Sequence, residues 1–196
     1  KIYAGIHQKM EDEGGLKLQL FKSSLKAARK YRLNEGKVGL GTKLMYWIGS
    51  KLVFSKIKER FGGRLMGSIT GSAQMNEEVA NFFSDIGIYV YNCYGLSETS
   101  PAITMNSPEL NRSGSVGTAL EFIKIRIDKT LVDDQSEDGE IQVKGPNLML
   151  GYHNKPEITK EVFTEDGWLK TGDRGKLDSD GFLYITGRFK EQFKLE

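Results

Sequence analysis

The densest run of chemically capable side chains lies at residues 94–99, Tyr94-Gly95-Leu96-Ser97-Glu98-Thr99. It sets an aromatic face, a glycine, hydroxyls and one carboxylate within six positions. A tyrosine ring can stack on a nucleobase, a glycine admits close backbone approach, and a serine hydroxyl can donate to a phosphate oxygen. A lone glutamate beside a polyphosphate would be repelled unless it holds a cation, and Mg2+ takes such a carboxylate together with substrate oxygens. The same letters also describe a capped helix start, since Ser97 and Thr99 are good capping residues. Three other segments offer related chemistry. Gly71-Ser72-Ala73 follows a strand-like stretch, where small residues let a ring or phosphate reach the backbone; a tight turn explains it equally well. Gly172-Asp173 closes the run Trp168–Asp173, and its aspartate can accept two hydrogen bonds from a ribose diol or serve as a turn residue. Gly187-Arg188-Phe189-Lys190-Glu191 presents a forked donor for ribose or phosphate oxygens, or a solvated charge run.

Several elements must position these segments. Leu18, Phe21, Leu25, Ala28 and Tyr31 recur at spacings of three and four, which predicts a helix over 16–33. Leu44, Ile48, Leu52 and Ile57 predict a second helix over 42–61, with its apolar stripe on the domain body. The glycine-rich joint 36–41 separates the two. Residues 65–70 read as a short buried strand. Asn76 caps a helix to Asp85, with Glu77 and Glu78 in its first turn, and Gly87 ends it. A strand follows from Ile88, so the order suggests a parallel β-α-β crossover. After Pro108 the texture is of short strands: 122–127, an alternating 140–144, and a pair ending in 182–186 joined by the hairpin signal Asp180-Gly181. The expected fold class is therefore α/β (mixed α+β), a helical lead-in and parallel β-α-β segment followed by a distorted antiparallel β-barrel subdomain. The expected division is 1–107, 108–187 and a hinge at 188–196.

Composition narrows the function classes. Lys and Arg number 28 against 26 Asp and Glu, a near-neutral balance that argues against a nucleic-acid binder. Both lead-in helices are basic and amphipathic, which keeps peripheral membrane association open. The only cysteine, Cys93, excludes an internal disulfide and fits a cytoplasmic setting. The first residue is not methionine and the chain ends in a charged run, so the sequence reads as a piece of a longer polypeptide.

The four segments, in this order and with Gly139-Glu140-Ile141, Gly145-Pro146 and Gly151-Tyr152 between them, resemble the adenylate-forming superfamily of acyl-CoA synthetases, luciferases and peptide-synthetase adenylation domains. Within it the chain looks most like long-chain fatty acyl-CoA synthetases, including the bubblegum-type branch, with Lys51–Ile57 and Phe61–Arg64 supporting that branch. The resemblance implies an acid–thiol ligase that uses ATP, Mg2+ and coenzyme A on a fatty acid. It implies that Gly71, Ser72 and Ala73 line the adenine and acyl end, Tyr94 lies against adenine beside Gly95, and Ser97 contacts the α-phosphate. Glu98 would ligate Mg2+, Asp173 would hold the ribose with help from Arg188, and Lys190 would mark the hinge. His7 and His153 match no family site and read as surface or loop histidines. The family's phosphate loop and C-terminal lysine domain have no counterpart in this sequence, so the piece alone is expected to be inactive. Two alternatives stay open: an adenylating enzyme for an amino or aryl acid, and a non-catalytic nucleotide-binding module of the same fold.

Overall fold

The computed structural model describes residues 2–71, 76–133 and 135–189. The described residues fall into two compact units, one drawn from Lys1–Ser68 and Met75–Val90, the other from Ile69–Gln74 and Tyr91–Glu196.

The first unit is helical. It comprises α1 (Ile2–Glu13), α2 (Gly15–Leu33), α3 (Leu40–Gly49), a π-helical turn (Ser50–Phe54), α4 (Ser55–Glu59) and α5 (Glu77–Asp85). Phe21 and Ala28 of α2 face inward as the spacing predicts, and they pack with Ile6, Phe54, Ile57, Phe82, Ile86 and Ile88. The helix predicted over 42–61 is instead broken by the π turn, which shifts the inward face. Of the predicted stripe, Leu44 and Leu52 stand exposed and Ile57 packs in the core, while Gly49 is buried against Ser24. His7 is no surface residue: its ring contacts Tyr3, Phe21 and Phe82. The α5 cap forms as read, with Asn76 Oδ1 accepting from the amides of Glu78 and Val79. Asp85 at the end of α5 is buried and receives Arg29 at 3.0 Å and Arg32 at 2.8 Å. An unpaired buried carboxylate would be costly, so these two arginines offset its desolvation.

One four-stranded sheet runs β1 (Gly67–Thr70), β2 (Tyr89–Gly95), β3 (Ala102–Met105), β4 (Thr118–Ala119) in spatial order. The β1 stretch is not buried as expected, because Met66 and Ile69 are largely exposed. The second sheet is an antiparallel meander, β5 (Lys124–Asp128), β6 (Gly139–Lys144), β7 (Leu169–Leu177), β8 (Leu183–Arg188). Its last strand meets the first sheet through the Thr118–Phe182 bridge and reciprocal backbone bonds near Leu183. In place of the expected distorted barrel there are thus two sheets joined at one edge. Ile103, Ile141, Val143, Leu169 and Leu183 fill the core between them. The alternation read in β6 does not mean one wet face. Glu140 and Gln142 are also buried, and Gln142 bonds Arg126 and Asp128.

Candidate active site

The second unit brings three of the singled-out segments together. Strand β2 ends at Tyr94 and Gly95, where the register against β3 shifts. A side chain at Gly95 would overlap the Pro101 carbonyl, so glycine is demanded here by the close approach of the returning chain. That turn is a short 3-10 helix, Ser97–Thr99. Thr99 is fully buried and stitches it: its hydroxyl accepts from the Leu96 amide at 2.9 Å and donates to the Pro101 carbonyl at 2.6 Å. Ser97 is exposed and its hydroxyl bonds no other side chain among the described residues. The hydroxyl pair read from the sequence therefore divides into a structural Thr99 and an outward Ser97.

Asp173 sits on β7 opposite Arg188 of β8. The preceding Gly172 has φ 72°, a left-handed conformation that favours glycine. The Thr171 hydroxyl accepts from the Asp173 amide at 3.1 Å and donates to the Ile141 carbonyl at 2.7 Å. So placed, the buried Asp173 carboxylate accepts from the Tyr94 phenol at 2.7 Å and from Arg188 Nε at 2.7 Å. Burial, reinforced by this carboxylate, pushes the Tyr94 phenol far above its ordinary range, so Tyr94 stays a donor. An ionised carboxylate has about four lone-pair sites. Two are taken by these donors, which leaves two acceptor sites. Tyr94 itself is largely buried, with its edge spent on Asp173.

Glu98 lies four residues beyond Tyr94, at most about 14 Å of chain. Its carboxylate accepts from the Tyr152 phenol at 2.8 Å, and its backbone carbonyl accepts from the Met149 amide at 2.8 Å. No arginine or lysine among the described residues pairs with it, and no group of three or more His, Cys, Asp or Glu forms a ready-made metal cage. One carboxylate with an oxygen to spare is the donor set that suits Mg2+ carried mainly by substrate oxygens. Sequence alone assigns no role to Tyr152, Asn147 or Thr171, although Tyr152 and Thr171 fall within segments singled out above, because each acts on a residue distant in the chain or on backbone. Tyr152 and Glu98 are 54 positions apart. Gly71 ends the described part of its segment, with a Cβ there falling 2.5 Å from the Cys93 sulfur. Ser72, Ala73 and Lys190 lie outside the described residues. His153 is exposed, as expected.

The family profile described as AMP-binding enzyme matches residues 14–153. Long-chain-fatty-acid–CoA ligase 5 of Mus musculus is 36% identical over 194 residues, covering 97% of this chain and 28% of that protein. Long-chain-fatty-acid–CoA ligase ACSBG2 of Xenopus laevis is 38% identical over 149 residues, covering 76% and 20%. Among solved structures, o-succinylbenzoate coenzyme A synthetase (MenE) from Bacillus subtilis, in complex with ATP and magnesium ion, superposes with a TM-score of 0.56 at 37% identity over 62% of this chain and 26% of that one. The chain thus spans about a quarter of the length of the relatives it matches.

Proposed function

This chain belongs to the AMP-binding enzyme family, and we propose that it carries the nucleoside-recognising part of an AMP-forming long-chain fatty acid–CoA ligase. The observation that carries the reading is the buried Asp173 carboxylate, fixed by Tyr94 and Arg188 with two acceptor sites left over. A ribose diol fills such a pair of sites. The single carboxylate of Glu98, on the turn that follows Tyr94, suits the metal that accompanies ATP. Bound there, Mg2+ supplies charge neutralisation on the phosphates.

The reaction has two halves. The fatty carboxylate attacks the α-phosphorus of ATP, forming an acyl–phosphate bond and releasing pyrophosphate. The thiol of CoA then attacks the acyl carbon, forming the thioester and releasing AMP. In the first half the residues of this chain position and neutralise. Asp173 and Arg188 hold the sugar and thereby fix the phosphorus. Ser97, outward and bonding no other side chain among the described residues, donates to an α-phosphate oxygen, and Glu98 holds the metal. Gly71 and Gly95, with Ser72 and Ala73, line the adenine side beside Tyr94. Lys190 marks the hinge, and the division 1–107, 108–187 and 188–196 describes how the parent enzyme is built. No helix among the described residues is long and apolar enough to cross a membrane; fatty substrates favour peripheral association of the cytoplasmic enzyme with lipid.

A second acid class has specific support, because the superposing MenE structure is of an o-succinylbenzoate coenzyme A synthetase. Thioester formation by the enzyme that carries this chain, measured with palmitate and with o-succinylbenzoate, separates the two. The nucleoside assignment is tested on binding. Asp173→Asn is expected to weaken AMP at least tenfold by isothermal titration, since a hydrogen bond to a charged group contributes about 1.5–3 kcal/mol. Unchanged AMP affinity would remove the ribose role.

A further inference from the structure

We propose that Tyr152 is a positioning residue for the metal-holding Glu98, and that the segment 147–152 acts as a strap fixing the Glu98 turn. The inference rests on the reading of Glu98 given above and extends it to residues whose sequence context gives no such role.

Four bonds from three residues of this segment converge on one turn. The Asn147 side-chain amide donates to the carbonyls of Thr99 at 2.6 Å and Ala102 at 3.0 Å. The Met149 amide donates to the Glu98 carbonyl, and the Tyr152 phenol donates to Glu98 Oε1 at 2.8 Å. The first three hold the backbone of Glu98 and of the residues that follow it. The fourth holds the carboxylate itself, which makes no ion pair with an arginine or lysine among the described residues. Tyr152 is anchored in turn: its amide donates to the Thr159 hydroxyl at 2.8 Å on α6 (Pro156–Val162), and that hydroxyl donates to the Lys155 carbonyl at 2.9 Å. The order of support is α6, Thr159, Tyr152, Glu98.

A free glutamate side chain loses rotamer entropy when it is fixed. Here that cost is met within the folded chain before any metal arrives. One carboxylate oxygen is occupied by the phenol, and the other is left in a set direction. Outer-shell partners of this kind typically change metal affinity 10–100-fold when removed. Tyr152 also lines a groove of about 480 Å³ with Leu150, Lys155, Thr159, Lys160 and Phe163. Tyr152→Phe keeps the ring and removes only the donor.

The test uses the enzyme that carries this chain, loaded with the non-cleavable ATP analogue AMPCPP, with Mn2+ as the probe read by electron paramagnetic resonance. Tyr152→Phe is expected to raise the Mn2+ dissociation constant about tenfold, and to leave metal-free nucleotide affinity and the melting temperature within error. In a Glu98→Gln background the same substitution is expected to have no further effect. An unchanged Mn2+ constant in Tyr152→Phe, or an equal loss in both backgrounds, overturns the proposal. If Glu98→Gln alone leaves Mn2+ binding intact, the metal reading of Glu98 fails first, which distinguishes the two. Thr159→Val is a second route should Tyr152→Phe not fold. It frees the Tyr152 backbone but keeps the phenol, and it must weaken Mn2+ in the same direction, by less.

Discussion

At the scale of single residues, the site depends on groups that each do two things. Tyr94 is a core ring and also a donor to Asp173. Tyr94→Phe keeps the ring and deletes the donor, which leaves Asp173 buried with Arg188 as its remaining side-chain partner. The expected cost is about 2 kcal/mol of stability, read as a lower urea midpoint at unchanged slope. An equal midpoint would mean that water or Arg188 already satisfies the carboxylate. The types at 94–99 were legible in the sequence, because an aromatic, a glycine, hydroxyls and a carboxylate in one run announce a site. Their division of labour was not. Nothing in the letters tells that Thr99 faces inward to stitch its own turn while Ser97 faces out, or that Gly95 answers to the Pro101 carbonyl. Those facts are set by how β3 returns against β2, a contact between segments rather than within one.

At the scale of elements, local chemistry predicted what local chemistry controls. The Asn76 cap, the inward face of α2 and the Asp180-Gly181 hairpin all depend on neighbours a few positions away, and all form. The stripe of 42–61 turns inward only in part: Ile57 joins the core and Leu44 and Leu52 do not, and a π turn changes the period between Leu44 and Ile57, where a periodic count assumes one period. The second sheet is held at its surface by long-range ion pairs that no periodicity reveals. Arg126 on β5 reaches Asp166 before β7 at 2.7 Å, and its guanidinium covers the Trp168 ring at 4.5 Å. Hydrogen bonding from Arg126, aided by Thr164, holds the Asp166 carboxyl down to about 2, against an ordinary value of 3.8. The folded value is lower than the unfolded one, so the stabilisation is present above about pH 4. It is lost as pH falls through about 2. Acid unfolding followed by tryptophan fluorescence, which reports on Trp168, should therefore be shallower between pH 4 and 2 in Asp166→Asn. A profile identical to the parent's would show that the pair carries no linkage.

At the scale of the whole molecule, the decisive quantity is charge. Transfer of an adenylyl group needs cationic groups around the triphosphate in addition to the metal. Among the described residues the second unit gives Glu98 no arginine or lysine partner, and the one guanidinium at the Asp173 end is already bonded to that carboxylate. On the reading proposed above the unit holds the sugar and the metal, and the chain amounts to about a quarter of the length of its matched relatives. Recognition and chemistry should therefore separate. The 196-residue chain is expected to bind AMP weakly and in an Asp173-dependent way, yet to give no exchange of labelled pyrophosphate into ATP with palmitate present. Each tenfold in rate needs about 1.4 kcal/mol of transition-state stabilisation, and positioning of the ribose alone leaves the developing phosphate charge unanswered. Exchange above the buffer rate would mean that the residues on hand neutralise that charge unaided, and the division between holding and catalysis would have to be abandoned.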